Sequence, residues 1–337
     1  YQNLGVPGAK SFHLGAAGYG NMAGLATGQA NPYYVRFATS GTSSVIGDAV
    51  AQAPTFFSLW IGNNDVLSYA TSGGSGVDQT GNTNPATYGS NDITDPNVFA
   101  SVISGYVNAL TAGGAKGVMA NIPNVTSIPY NPLTPALLGS NITALNTGLY
   151  GPLKQALTAF GAGDRINLLS ATSANPLLIV DNSLTNLSAQ LTLALTPSLG
   201  ATTAAAFGQI YGQARQATAE DLVLLSTSSV IGTTVTGAPA SINLNGISYP
   251  LANQYILTKT EKNKVLAATA AYNASLKAIA TSKGLAFVDA NAKMIELSAA
   301  SGIQFDGVKY TATFVTGGTF SLDGVHLTGR GYALIAN

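Results

Sequence analysis

Only two histidines, His13 and His326, occur among the 337 residues, and there is no cysteine. Proton transfer near neutral pH therefore falls to one of two side chains, because histidine is the group whose ordinary pKa of about 6.5 lies in that range. His326 stands in Ser321-Leu322-Asp323-Gly324-Val325-His326-Leu327-Thr328, with a carboxylate three residues ahead of the imidazole. Gly324 permits a tight turn between them. Asp323 can then accept from one ring nitrogen and leave the other as a general base. Read without chemistry, the same stretch is an Asp-Gly turn ahead of a helix expected to start near Thr328. His13 reads as a partly buried structural histidine, or else as one wall of a pocket.

Two further clusters carry groups suited to an oxyanion. Trp60-Ile61-Gly62-Asn63-Asn64-Asp65 follows an apolar run expected to be a strand. Ligands of open α/β sheets collect at the carboxyl ends of strands, and a side-chain amide placed there can donate to developing negative charge. Asn-Asn-Asp is also ordinary turn chemistry. Asn3-Leu4-Gly5-Val6-Pro7-Gly8 ends on a glycine whose backbone N–H no Cβ shields.

Taken in order, these three segments resemble blocks II, III and V of the SGNH/GDSL hydrolases. Asn3–Gly8 matches block II, Gly62-Asn63-Asn64-Asp65 the Gly-x-Asn-Asp block, and Asp323–Thr328 the Asp-x-x-His block. The resemblance implies a flavodoxin-like three-layer α/β/α fold with a parallel sheet. It also implies hydrolysis of carboxylic esters through a serine nucleophile and an acyl-enzyme. On that reading His326 is the base, Asp323 orients it, and Gly8 and Asn64 form the oxyanion hole. The family's Gly-Asp-Ser block is absent: Gly47-Asp48-Ala49 and Gly163-Asp164-Arg165 come closest, and neither offers a hydroxyl. The nucleophile is therefore expected upstream of residue 1. Ser11, Ser43 and Ser44 do not sit on the strand-to-helix turn such a nucleophile needs.

The elements that position these groups read as βα units. Residues 55–62, 115–123 and 285–290 are short apolar runs of the kind a buried parallel strand shows. Helices are expected before them at 41–52, 96–112 and 260–282, the second announced by Asp95-Pro96. Residues 68–95 form a long polar loop, a length that in compact domains signals function or disorder. Residues 166–258 hold four charges, Asp181, Arg215, Glu220 and Asp221. They read as an inserted, cap-like subdomain within a single hydrolase domain over 1–337. Leu222–Leu225 and Thr234–Tyr249 are expected as strands, with Asn245-Gly246 as a hairpin turn. The chain opens on Tyr1 and stops inside what reads as a helix, so sequence is expected to continue at both ends.

Composition narrows the function classes. Lys plus Arg number 14 and Asp plus Glu 14, so charged residues are 8% of the chain against about 25% in ordinary proteins. A neutral chain without a basic block has no electrostatic footprint for nucleic acid. No uninterrupted apolar stretch reaches the ~18 residues that a spanning helix needs. With no cysteine, thiol chemistry and Cys-ligated metals are out, and Asp78, Asp92 and Asp95 are too scattered to assign a metal. No cofactor is implied. Low charge with abundant Thr, Asn, Ser and Gly fits a secreted or bacterial cell-envelope protein. An apolar insertion suits an acyl-lipid ester, and a polar loop suits a sugar ester. The rival reading is a non-catalytic surface or ligand-binding protein on a degenerate hydrolase fold.

Overall fold

A computed structural model describes residues 2–126, 133–313, 315–322 and 326–336. The three apolar runs become the strands of one parallel sheet: β1 (Phe56–Leu59), β2 (Lys116–Ala120) and β3 (Ala286–Val288). The order is β1-β2-β3, with Phe57 opposite Gly117 and Met119 opposite Phe287. Each strand follows a helix, as the apolar spacing predicts: α1 (Val45–Ala51), α3 (Pro96–Thr111) and α4 (Lys259–Ser282), while α2 (Asn64–Thr71) leaves the end of β1. The protein is thus mixed α/β with a parallel sheet.

The start of α3 shows how local chemistry sets these elements. Asp95 accepts from the N–H groups of Asn97 and Val98, and Pro96 takes the first helical position, where no N–H is needed. The helix then buries Val98, Phe99, Ile103, Tyr106, Val107 and Leu110 on one face. Phe99 stacks on Tyr272 of α4 with ring centroids 4.2 Å apart, tying the two helices together.

The chain divides into two compact units. The first comprises Tyr1–Ala70, Gly76–Ser127 and Lys264–Asn337, and the second Thr71–Ser75 and Ile128–Asn263. The expected insertion at 166–258 lies inside the second unit, which has a core of its own around Leu149, Tyr150, Leu178, Leu191, Tyr211 and Leu251. In it, helices Ser188–Leu199 and Ala201–Tyr211 are joined through Gly200, and strand Leu178–Val180 pairs antiparallel with Ala214–Gln216.

The hairpin expected around Asn245-Gly246 is not a regular one. Leu222–Val223 pairs instead with Ile256–Leu257, and the 234–249 stretch is reduced to the single bridges Thr234↔Leu244 and Asn245↔Tyr249. Pro239 and the 3-10 turn Ala240–Ile242 interrupt it, so no ladder can propagate. Residues 2–5 pair with no strand among the described residues, and Asn3 Oδ1 accepts the Gly5 N–H at 2.9 Å. Towards the C-terminus, α5 (Ala290–Ser298) leads to the hairpin β4 (Ile303–Phe305) and β5 (Val308–Tyr310), turned at Asp306-Gly307. This hairpin packs with Leu297 and with Leu334 of α6 (Gly329–Ala336), the helix that begins just after His326.

Candidate functional site

Val6-Pro7-Gly8-Ala9 closes a turn in which the Ala9 N–H donates to the Val6 carbonyl at 3.2 Å. Proline second and a glycine third with φ of 77° is the pattern of a type II turn, which demands a left-handed residue at that place. Gly8 is exposed, and no atom lies within 4 Å of where its Cβ would be. Its N–H meets no acceptor among the described residues. The turn therefore offers an open backbone donor.

Asn64 is the first residue of α2, reached from β1 through residues 60–63, and its Nδ2 donates to the Ala9 carbonyl at 3.0 Å. That contact brings the two predicted oxyanion groups together at one corner. An amide nitrogen carries two hydrogens, so the Ala9 carbonyl holds one and the second is left for another acceptor. Gly62 makes this corner possible. Its φ is 114°, and a Cβ there would stand 2.5 Å from Ile122 Cδ1 and 2.8 Å from Phe99. Backbone, not side chain, must pass that point.

Asp65 has a role that the sequence did not disclose. Its side chain is fully buried, and its two oxygens accept from the Ser11 N–H at 2.8 Å and the Ser11 hydroxyl at 2.7 Å. Burial raises the Asp65 pKa, opposed chiefly by these Ser11 bonds. The Tyr106 hydroxyl donates to the Ser11 carbonyl at 3.1 Å. Ser11 is thus a structural tie between the glycine turn and α2. Ser43 Oγ is spent on the Ser40 carbonyl and Asp48, and Ser44 caps α1 through the Gly47 N–H.

Lys10 is the second unforeseen residue. Only 3% exposed, it donates from Nζ to the Asp92 carbonyl at 2.6 Å, pinning residues 76–95 of the expected 68–95 loop against the glycine turn; residues 68–71 of that stretch are instead the last turn of α2. Burial lowers its pKa, against the fields of Asp65 and Asp92. His13 sits half-buried one turn later. Its Nδ1 accepts the Lys10 N–H at 3.1 Å, which leaves the proton of the neutral ring on Nε2. The ring stacks on Tyr19 with centroids 4.8 Å apart and meets Phe12 edge-on. Burial, aided by the Lys10 charge, lowers its pKa to about 4, so His13 is neutral at pH 7.

His326 is exposed and lies on a bend inside the loop closed by the bridge Phe320↔Leu327, three residues before α6 begins. Its carbonyl accepts the Ser321 N–H at 2.8 Å, and Thr328 Oγ1 bonds the Gly318 and Thr319 carbonyls to anchor the helix start. Asp323, the predicted orienting carboxylate, lies outside the described residues. Among the described residues no group of three or more His, Asp or Glu is placed to hold a metal ion. No described helix is long and apolar enough to cross a membrane. No protein-family model, curated protein or solved structure matches this chain.

Proposed function

We propose that the first unit carries the oxyanion hole and the general base of a carboxylic ester hydrolase of the SGNH/GDSL kind. The observation that carries this reading is the contact between Asn64 Nδ2 and the Ala9 carbonyl, which ties a side-chain amide to the turn that exposes Gly8. In this reading the sheet is part of a flavodoxin-like three-layer fold. Among the described residues β1 is paired on one edge only, by β2, and Phe56 on it is 63% exposed. A three-stranded parallel sheet with an apolar, unpaired edge suits the addition of a further strand, since parallel sheets are ordinarily covered. The nucleophilic serine of this reading is not assigned to any residue of the chain.

The chemistry follows from the groups in place. The serine oxygen attacks the ester carbonyl carbon while His326 takes its proton, with Asp323 steadying the imidazolium. The carbonyl oxygen becomes negative between the Gly8 N–H and the second N–H of Asn64. Collapse expels the alcohol, which receives the proton from His326, and water then releases the acid by the same route. Ser11, Ser43 and Ser44 are not taken as nucleophiles in this reading, because their hydroxyls bond Asp65, Asp48 and the Gly47 N–H rather than a histidine base. His13, neutral and with Nδ1 already accepting, is not the base.

The test is hydrolysis of p-nitrophenyl esters by the natural full-length protein. Asn64→Ala is expected to lower kcat by about 10²–10³ with the fold retained, the usual loss of one oxyanion donor. Wild-type turnover in that variant would remove the assignment. Absence of any ester hydrolysis by the natural protein would leave the degenerate, ligand-binding reading in its place.

A further inference from the structure

The Asn64 amide and the His13 ring sit on opposite sides of one peptide group. The Ala9 carbonyl accepts from Asn64 Nδ2 at 3.0 Å, and the N–H of the same group, carried by Lys10, donates to His13 Nδ1 at 3.1 Å. A peptide group is a rigid plane, so its carbonyl and its N–H cannot turn independently. Ala9 is fully buried and Lys10 nearly so, which keeps water from replacing either partner. The next peptide group is held by other means: its N–H, from Ser11, goes to Asp65, and its carbonyl, from Lys10, accepts the His13 N–H at 3.1 Å. Among the described residues, the hydrogen bonds that fix the Ala9–Lys10 plane come from Asn64 on one side and His13 on the other.

The type of residue at position 13 is a second observation. Lys10 and His13 are the N-cap and third residue of the 3-10 turn Ser11–Gly15, and His13 fills the place that a capping box ordinarily gives to Glu or Gln. A glutamine accepts there at any pH. An imidazole accepts only while neutral; once protonated, both ring nitrogens donate, and the Lys10 N–H would face another N–H. The surroundings favour the neutral ring. Tyr19 stacks on it at 4.8 Å and Phe12 meets it edge-on at 4.4 Å. The charge that acts on it is that of Lys10, whose ammonium is bound to the Asp92 carbonyl. The other titratable group against it is the Tyr19 hydroxyl, which accepts from Asn31 Nδ2. No carboxylate bonds the ring among the described residues.

We propose that His13 is a positioning residue for the Asn64 amide. The neutral ring holds the Ala9–Lys10 plane, the plane holds one hydrogen of the amide, and the planar amide then aims its second N–H. A protonated ring releases that chain of contacts. This rests on the ester-hydrolase reading above, in which the second N–H meets the oxyanion, and it gives the site a control point outside the reacting groups.

NMR of the 337-residue chain reads the coupling without substrate. The Asn64 side-chain amide signals, assigned by their loss in Asn64→Ala, are followed beside the His13 ring protons from pH 7 down to about 3.5, a span that includes the His13 pKa of about 4. The methyl of Met119, fully buried in β2, certifies the fold at each pH. In the wild type, amide and ring are expected to move with one midpoint. In His13→Gln the amide step at that midpoint is expected to vanish, while any step due to the neighbouring Asp65 carboxylate stays in both proteins. Separate midpoints, or a step that His13→Gln keeps, overturn the proposal.

Hydrolysis of p-nitrophenyl acetate by the natural full-length protein at pH 7 reads the consequence. His13→Phe keeps a ring without the acceptor and is expected to lower kcat about tenfold with KM little changed, less than the loss of the donor outright. His13→Gln is expected to keep kcat within about twofold of wild type. On an Asn64→Ala background His13→Phe is expected to lower kcat no further, because the amide it would position is gone. A second tenfold loss there would show a merely structural histidine and overturn the proposal. A coupled amide step alongside hydrolysis that ignores Asn64→Ala would keep the coupling and remove the hydrolase reading. Asn64-dependent hydrolysis without the coupled step would remove the coupling alone.

Discussion

Both units bury charge, and they satisfy it in opposite ways. In the second unit Arg215 lies between two carboxylates, with Nε 2.7 Å from Asp181 and Nη1 and Nη2 each 2.7 Å from Asp221. Nη1 also donates to the Gln216 carbonyl, so four of the five N–H groups are used in one compact knot. Burial opposes both carboxylates, but hydrogen bonds from Ser183 to Asp181 and from Arg215 to each prevail, and their pKa values are lowered. In the first unit Lys10 rests on a backbone carbonyl and Asp65 on Ser11, and the two meet only through the field between them. A knot of that kind holds one place together. Charges satisfied separately each hold a different segment, and here those segments are the glycine turn, the polar loop and α2. The first arrangement suits stability; the second suits the placing of a site.

Breaking the knot should have the largest effect. Arg215→Met leaves two buried carboxylates facing each other without a cation, a change that costs about 3–5 kcal/mol when one partner of a buried pair is removed. Urea denaturation should register that loss, with a fall in amide protection across Ala214–Gln216 and Leu178–Val180. A loss under about 1 kcal/mol would show that the knot is not a stabilising feature.

Asp65→Asn probes the dispersed arrangement. An amide presents one acceptor where the carboxylate presents two, so if Oδ1 keeps the Ser11 N–H, the amide N–H must face the Ser11 hydroxyl, whose own hydrogen then loses its acceptor. The expected loss is about 1–3 kcal/mol, the scale of one buried polar group left unpaired. The contrast lies in where the damage falls. Hydrogen exchange should quicken at residues 9–15 and around α2, and the strands beside Arg215 should keep their protection. Uniform loss in both regions would erase the distinction between knot and tie.

The difference between the regions also explains what the sequence could disclose. The sheet was legible because each parallel strand is a short apolar run preceded by a helix signal, and Asp95-Pro96 states its helix start in two residues. The turn at Gly8 was legible because Pro-Gly turn chemistry is local, and the turn at Asn63-Asn64 because a polar cluster ends an apolar run; their pairing as an oxyanion hole belongs to the proposal. Lys10 was not legible, since a lysine is ordinarily exposed and its carbonyl partner at Asp92 lies 82 residues away. Asp65 and Ser11, 54 residues apart, meet only through the fold. The charges Asp181, Arg215 and Asp221 stood out as three of only four in 166–258, but their pairing depends on the antiparallel register of Ile179 with Arg215.

The smallest expected effect concerns His13, where the dispersed arrangement meets pH. Its folded pKa of about 4 lies below the ordinary 6.5, because burial and the Lys10 charge disfavour the imidazolium. Between those values the unfolded chain binds a proton that the folded chain refuses. The stability His13 contributes is therefore fully present above about pH 6.5 and declines as pH falls towards 4, by about 1 kcal/mol at pH 5.5. His13→Gln keeps an acceptor in reach of the Lys10 N–H and does not titrate. Urea midpoints measured from pH 7 to 4.5 should fall more steeply for the wild type than for this variant. Parallel slopes would mean that the ring accepts its proton without leaving its place between Lys10, Phe12 and Tyr19. The tie between turn and aromatic cluster would then be looser than the stacking distance indicates.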